Sequence, residues 1–139
     1  MSNVTLPPDY KPTQDEEYMN ERQLEYFRQK LIDWRAELVK NSELTLQDLK
    51  ETSLQEADLN DRASSETDQF LELRTRDRMR KLIKKINAAL DRIENGTYGY
   101  CEETGEPIGL GRLEARPVTT LSIEAQERHE RKEKLQADE

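Results

Sequence analysis

The sequence predicts a mainly α protein: a long antiparallel coiled-coil helical hairpin plus a small globular base that ends in a C-terminal helix. Three observations carry this. Apolar residues recur at heptad spacing in two separate stretches. Neither glycine nor proline occurs in the 76 residues from Asn20 to Asn95. The composition is also too thin for a thick core, with Leu, Ile, Val and Phe making up 28 of 139 residues. That is the edge of the level, about one-fifth, below which charged chains stay disordered. With 37% charged and 33% hydrophobic residues and a mean hydropathy of −1.06, what apolar surface exists is best used along one narrow helical seam.

Residues 1–19, with Pro7, Pro8 and Pro12, read as an extended N-terminal arm packing on the base. Asn20 is a good N-cap, and Gln23 is placed to reach back in a capping box. From there Leu24, Phe27, Leu31, Trp34 and Leu38 fall at alternating spacings of three and four, and the seam thins through Leu46 and Leu49. One continuous helix over 20–95 would be about 114 Å long and would leave this seam without a partner. A fold-back near Asp58-Leu59-Asn60-Asp61 supplies the partner instead, since Asp and Asn favour turns. The returning seam is Phe70, Leu73, Met79, Ile83, Ile86, Leu90 and Ile93. Folding near residue 59 sets Leu24 opposite Ile93, Phe27 opposite Leu90, Leu31 opposite Ile86, Trp34 opposite Ile83 and Leu38 opposite Met79, so seam meets seam. The hairpin then spans 20–95 with its tip near 56–62, in arms of about 50 Å.

Residues 96–139 form the remainder. Asn95-Gly96 ends the second arm, glycine being suited to a left-handed cap. Ile108-Gly109-Leu110-Gly111 reads as a short strand, and a last helix starts near Ser122 and runs to about Lys134. Tyr98, Tyr100, Ile108, Leu113 and Ile123 are the expected packing residues of this base.

Several function classes drop out. No apolar run approaches the roughly 20 residues that span a bilayer, and the first ten residues lack the basic start and apolar core of a secretory signal. One cysteine, Cys101, builds no disulfide framework, so cytoplasmic residence is expected; the chain is separately expected to be a monomer. A net charge of −8 opposes generic DNA binding, which needs basic surface. No glycine-rich phosphate loop, Cys–His pair or metal cluster points to an enzyme. Protein is the expected partner, and the charges suggest how it is met. Glu56 to Glu72 carries a net −5 and Arg74 to Lys85 a net +6, an acidic tip on a basic collar that suits insertion into a cationic cavity with an acidic rim.

Asp58-Leu59-Asn60-Asp61-Arg62-Ala63 at the turn resembles the D-x-x-D-x-A tip of the DksA family of bacterial transcription factors. Residues 72–86 look like that family's second arm, and Tyr98-Gly99-Tyr100-Cys101 and Arg112-Leu113-Glu114-Ala115-Arg116-Pro117 like its small globular part. The similarity covers the chain from about residue 15 onward. It implies a factor that binds RNA polymerase rather than DNA and inserts the hairpin through the secondary channel. Such a factor shortens the life of promoter complexes and represses ribosomal RNA promoters in the stringent response with the alarmone guanosine tetraphosphate (ppGpp). Carried over by residue, Asp58, Asp61 and Ala63 are the acting tip, Arg74 and Arg78 dock the polymerase rim, and Leu82, Lys85 and Arg116 bind ppGpp. Gln126 replaces a basic residue of the family's pattern, which weakens the phosphate contact. The family's four zinc positions correspond here to Cys101, Thr104, Ser122 and Ala125. Structural zinc takes about four S or N ligands, so a degenerate finger without zinc or other cofactor is expected. In this reading Cys101 is a small packed residue and His129 a solvated one, and a substitute site from Cys101, His129 and Glu102, Glu103 or Glu106 is set aside for its irregular spacing.

Two other readings remain at this point. A Gre-type transcript-cleavage factor also places a hairpin tip in the polymerase, but some 43 residues leave little room for its β-rich second domain. A helical-hairpin adaptor would use its charges for solubility, with Arg74 and Arg78 paired inside the hairpin to Glu43 or Glu51 and Asp61 acting only as a helix cap.

Overall fold

In the computed structural model the described residues are 4–59 and 62–137, and the side chains of residues 45, 46, 49 and 52–65 lie outside the description. Four helices follow in order: α1 (Glu21–Leu59), α2 (Arg62–Asn95), α3 (Leu110–Ala115) and α4 (Ile123–Ala137). No strand forms among the described residues; Tyr100 and Pro107 share one isolated antiparallel bridge. The protein is therefore mainly α. The chain divides into two compact units, one of Met1–Leu31 with Ala88–Glu139 and one of Ile32–Asn87. The division falls inside both long helices.

The first unit, the base, opens with an arm held by its own polar side chains. The Tyr10 hydroxyl donates to Glu16 Oε1 at 2.6 Å, and the Thr13 N–H donates to Glu16 Oε2 at 2.9 Å. Helix α1 starts as its cap residues dictate: Gln23 N–H donates to Asn20 Oδ1 at 2.9 Å. The reciprocal bond reaches one residue further back than a capping box, from Met19 N–H to Gln23 Oε1 at 2.7 Å. Gln23 Nε2 also donates to the Thr13 carbonyl, so this fully buried amide is satisfied on both sides, as buried polar groups must be. Phe27, Leu31, Ala89, Tyr98, Leu113 and Ala125 form the base's core at 0–1% exposure. The Phe27 ring meets those of Tyr26 and Tyr98 at centroid distances of 5.2 and 5.7 Å.

Of the four residues expected to form a strand, Leu110 and Gly111 enter α3 instead, with Gly109 as the N-cap at φ 105. A short strand needs a ladder partner, and Leu110 onward has none, whereas six residues in helix bury Leu113. The positive φ is glycine's to supply. Two of the expected packing residues also differ: Tyr100 is 38% and Ile123 54% exposed, while Tyr98, Ile108 and Leu113 are buried. Their place is taken by Cys101 and Ala125, which are small enough to let α4 approach.

The second unit is an antiparallel helical pair, tied by Arg35 Nη1 donating to Asn87 Oδ1 at 2.7 Å. Trp34, Leu38, Met79 and Ile83 are half-buried and Ile86 fully buried, the expected seam. Toward the tip the seam departs from expectation. Gln69, Glu72 and Arg76 take the half-buried positions on α2, and Phe70 and Leu73 stand 59% and 51% exposed. Continuing the spacing of three and four backward from Ile83 and Met79 leads to 76, 72 and 69, not to 73 and 70. Glu72 Oε2 is buried with no hydrogen-bond partner among the described residues, and an unpaired buried carboxylate oxygen costs stability. Glu72→Met is therefore expected to stabilise the helical pair by about 1 kcal/mol, read as a higher denaturation midpoint with unchanged m-value.

Candidate functional site

Two regions carry the residues singled out by the sequence. In the base, Cys101 sits in a tight turn. Its N–H donates to the Glu106 carbonyl at 2.8 Å, and its carbonyl accepts from Gly105 at 2.9 Å. The Glu102 N–H reaches the Thr120 carbonyl, joining this turn to the segment before α4. Thr104 Oγ1 accepts from Glu106 N–H at 3.3 Å. Ser122 Oγ accepts from Ala125 N–H at 3.2 Å and so caps α4, as a serine at an N-cap does. Cys101 is buried and free. Burial pushes its thiol up, but the backbone N–H of Ser122, the Thr104 hydroxyl and the N–H groups of Thr104 and Glu103 outweigh this and bring it down to about 6.

Across the same turn Glu103 pairs with His129 and, at 3.9 Å, with Arg128. His129 is therefore engaged rather than merely solvated. With Thr104 and Lys132 these residues line an open cavity of about 330 Å³. Sequence reasoning named His129 and Glu103 together only within a substitute metal site that it set aside, and missed the ion-paired cluster with Arg128. Its only signal was the spacing of Arg128, His129 and Lys132, which puts all three on one face of α4.

Arg116 is exposed at the C-terminal end of α3, where its N–H donates to the Arg112 carbonyl. The segment after it is pinned by Tyr98 Oη donating to the Pro117 carbonyl at 2.8 Å and by Arg112 Nε donating to the Leu121 carbonyl at 2.9 Å. On the other side of α3, burial raises the Glu114 carboxyl, but hydrogen bonds from Lys30 and Tyr26 prevail and hold it below its ordinary value.

In the second unit Arg74 and Arg78 are exposed on α2, Leu82 is half-buried and Lys85 exposed. Among the described residues neither arginine pairs with Glu43 or Glu51; the Arg74 guanidinium lies 5.3 Å from the centre of the Phe70 ring instead. The one ion pair described on this stretch is Lys81 with Asp77 at 3.2 Å. Leu82 and Lys85 thus belong to one unit and Arg116 to the other. Asp58 lies in the last turn of α1 and Ala63 in the first turn of α2, their side chains outside the description. Asp61 lies outside the described residues altogether.

Comparison with known proteins places these features in a family. Residues 23–93 match the family described as DnaK suppressor protein DksA, N-terminal domain. Residues 96–131 match the prokaryotic dksA/traR C4-type zinc finger. A protein of Caulobacter vibrioides named RNA polymerase-binding transcription factor DksA is 63% identical over 130 residues, 94% of this chain and 92% of that protein. The protein of the same name from Escherichia coli K12 is 44% identical over 128 residues, 92% of this chain and 85% of that one. Among solved structures, transcription factor DksA2 from Pseudomonas aeruginosa superposes with a TM-score of 0.79 at 44% identity, covering 84% of this chain and 90% of that one.

The zinc-finger match corrects the expectation of a chain without zinc: the family to which residues 96–131 belong points to zinc binding. This chain's own donors at the four ligand positions are one thiolate, two hydroxyls engaged in local hydrogen bonds and a buried methyl group, a set that does not make a four-thiolate site. Among the described residues no group of three or more His, Cys, Asp or Glu is gathered for a metal. Two family matches that tile residues 23–131, with full-length relatives at 63% and 44% identity, leave one conclusion: the chain belongs to the DksA family.

Proposed function

We propose that the chain regulates transcription by binding RNA polymerase, as a cytoplasmic monomer that catalyses no reaction of its own and makes no direct contact with DNA. The observation that carries this is 63% identity across 94% of the chain to a protein named as an RNA polymerase-binding transcription factor. The charge pattern supports it physically. Arg74 and Arg78 are exposed and unpaired with carboxylates among the described residues, as arginines reserved for an external carboxylate should be. In this reading the hairpin enters the polymerase's secondary channel, Arg74 and Arg78 dock its acidic rim, and Asp58, Asp61 and Ala63 act at the tip. Initiation is then lowered at ribosomal RNA promoters, with ppGpp held by Leu82, Lys85 and Arg116.

Transcription in vitro from a ribosomal RNA promoter tests this with purified polymerase. The wild-type protein is expected to shorten promoter-complex lifetime, and the Arg74→Ala/Arg78→Ala protein to lose polymerase binding by at least tenfold, two charge-assisted contacts being removed. Adding ppGpp should deepen repression through Lys85 and Arg116; an unchanged response removes the alarmone from the proposal. A wild-type protein that neither binds polymerase nor alters initiation overturns the whole reading.

A further inference from the structure

The second unit places its apolar residues in an order that packing alone does not explain. On α2, Phe70, Leu71 and Leu73 are 59%, 54% and 51% exposed, while Gln69, Glu72 and Arg76 occupy the half-buried seam. Moved by one position, the phenylalanine would fall at 69 and enter the seam. Single exposed apolar residues are ordinary, but three within four residues, on a helical pair short of apolar seam contacts, form a patch of the kind that marks interaction surfaces. At 100° per residue, Phe70, Arg74 and Arg78 follow one another along the face of α2 turned away from the seam. The Arg74 guanidinium lies over the Phe70 ring at 5.3 Å. A ring in that position restricts a long, flexible side chain and leaves its outer edge free to meet a carboxylate.

We propose that Phe70 and Arg74 act as one docking element for RNA polymerase, with Phe70 the positioning residue that holds the Arg74 guanidinium ready for a polymerase carboxylate. This rests on the polymerase reading above and deepens it. The occupant follows from the charges: the basic stretch from Arg74 to Lys85 carries +6 and calls for an acidic surface, and the exposed Phe70 ring and the two leucines call for apolar flanks around that carboxylate. The element suits an interface hot spot, which typically combines an aromatic and an arginine. The bland alternative is a local helix contact between residues four apart, which would steady α2 slightly and do nothing else.

The test measures affinity of the full chain for purified RNA polymerase, with circular-dichroism melts of each variant. Phe70→Ala should bind about tenfold more weakly and Phe70→Tyr within about twofold of the wild type, both with wild-type helix content and melting. In an Arg74→Ala background, Phe70→Ala should add less than about twofold, because the ring acts through the arginine. Wild-type affinity in Phe70→Ala, or full additivity with Arg74→Ala, overturns the proposal and leaves the polymerase reading intact. A wild-type protein that does not bind polymerase overturns the polymerase reading itself, and this inference with it.

Discussion

An Asp61→Asn protein is expected to bind RNA polymerase with wild-type affinity and to lose its effect on ribosomal RNA promoters. The substitution separates two roles that a carboxylate at this place in the chain can serve. Position 61 lies just before α2, which begins at Arg62, where Asp and Asn cap a helix about equally well. Asparagine therefore serves a cap position as well as aspartate does, keeps the side-chain volume and removes only the charge. A charge-assisted hydrogen bond is worth about 1.5–3 kcal/mol against roughly 1 for a neutral one. If Asp61 meets a cation or a backbone donor near the polymerase's catalytic centre, repression should fall by about tenfold or more. Docking, which the proposed function assigns to Arg74 and Arg78, should be untouched. Promoter-complex lifetimes and polymerase affinity measured on the same preparations decide the matter: full repression by Asp61→Asn would reduce the residue to a helix cap.

The two long helices were legible because their determinants are local. Asn20 and Gln23 cap α1 by hydrogen bonds to near neighbours, and heptad spacing survives any uncertainty about tertiary contacts. The same logic failed between residues 69 and 76. There the sequence offers two competing stripes, an apolar one through Phe70 and Leu73 and a polar one in phase with Met79 and Ile83. Hydrophobicity favoured the first, but the phase of a continuous helix is fixed by its best-packed part and cannot slip for two residues. The base was less legible still, since a six-residue helix such as α3 has no periodicity to read. Its partners are also distant in sequence, as with Tyr18 Oη, which donates to the Gly99 carbonyl and accepts from Gly109 N–H. Of the site residues, Arg74 and Arg78 came from the family resemblance, and it is the phase set by Met79 and Ile83 that puts both on the exposed face of α2. The Glu103–His129–Arg128 cluster does not, because it joins residues 26 apart through a turn whose form is set by Cys101 and Thr104.

Phe27→Ala should be the most damaging single truncation in the base. Phe27 is at 0% exposure and is the residue on α1 through which the aromatic cluster of the base is assembled, touching Tyr26 and Tyr98. Tyr98 in turn fixes the loop after α3 through its bond to the Pro117 carbonyl. Removing a fully buried phenylalanine costs about 3–5 kcal/mol, a large share of the 5–15 kcal/mol typical of a folded domain. The loss should be close to the upper figure. The site is walled by rings that are themselves tethered, Tyr26 to Glu114 at 2.7 Å and Tyr98 to Pro117, so it cannot collapse to fill the cavity. Phe27→Leu, which retains most of the apolar volume, should cost much less. Chemical denaturation followed by near-ultraviolet circular dichroism, which reads the tyrosines of the base, checks this directly. A loss below about 1 kcal/mol in Phe27→Ala would mean that the base is held by its polar ties, such as Gln23 to Thr13 and Lys30 to Glu114, rather than by its aromatic core.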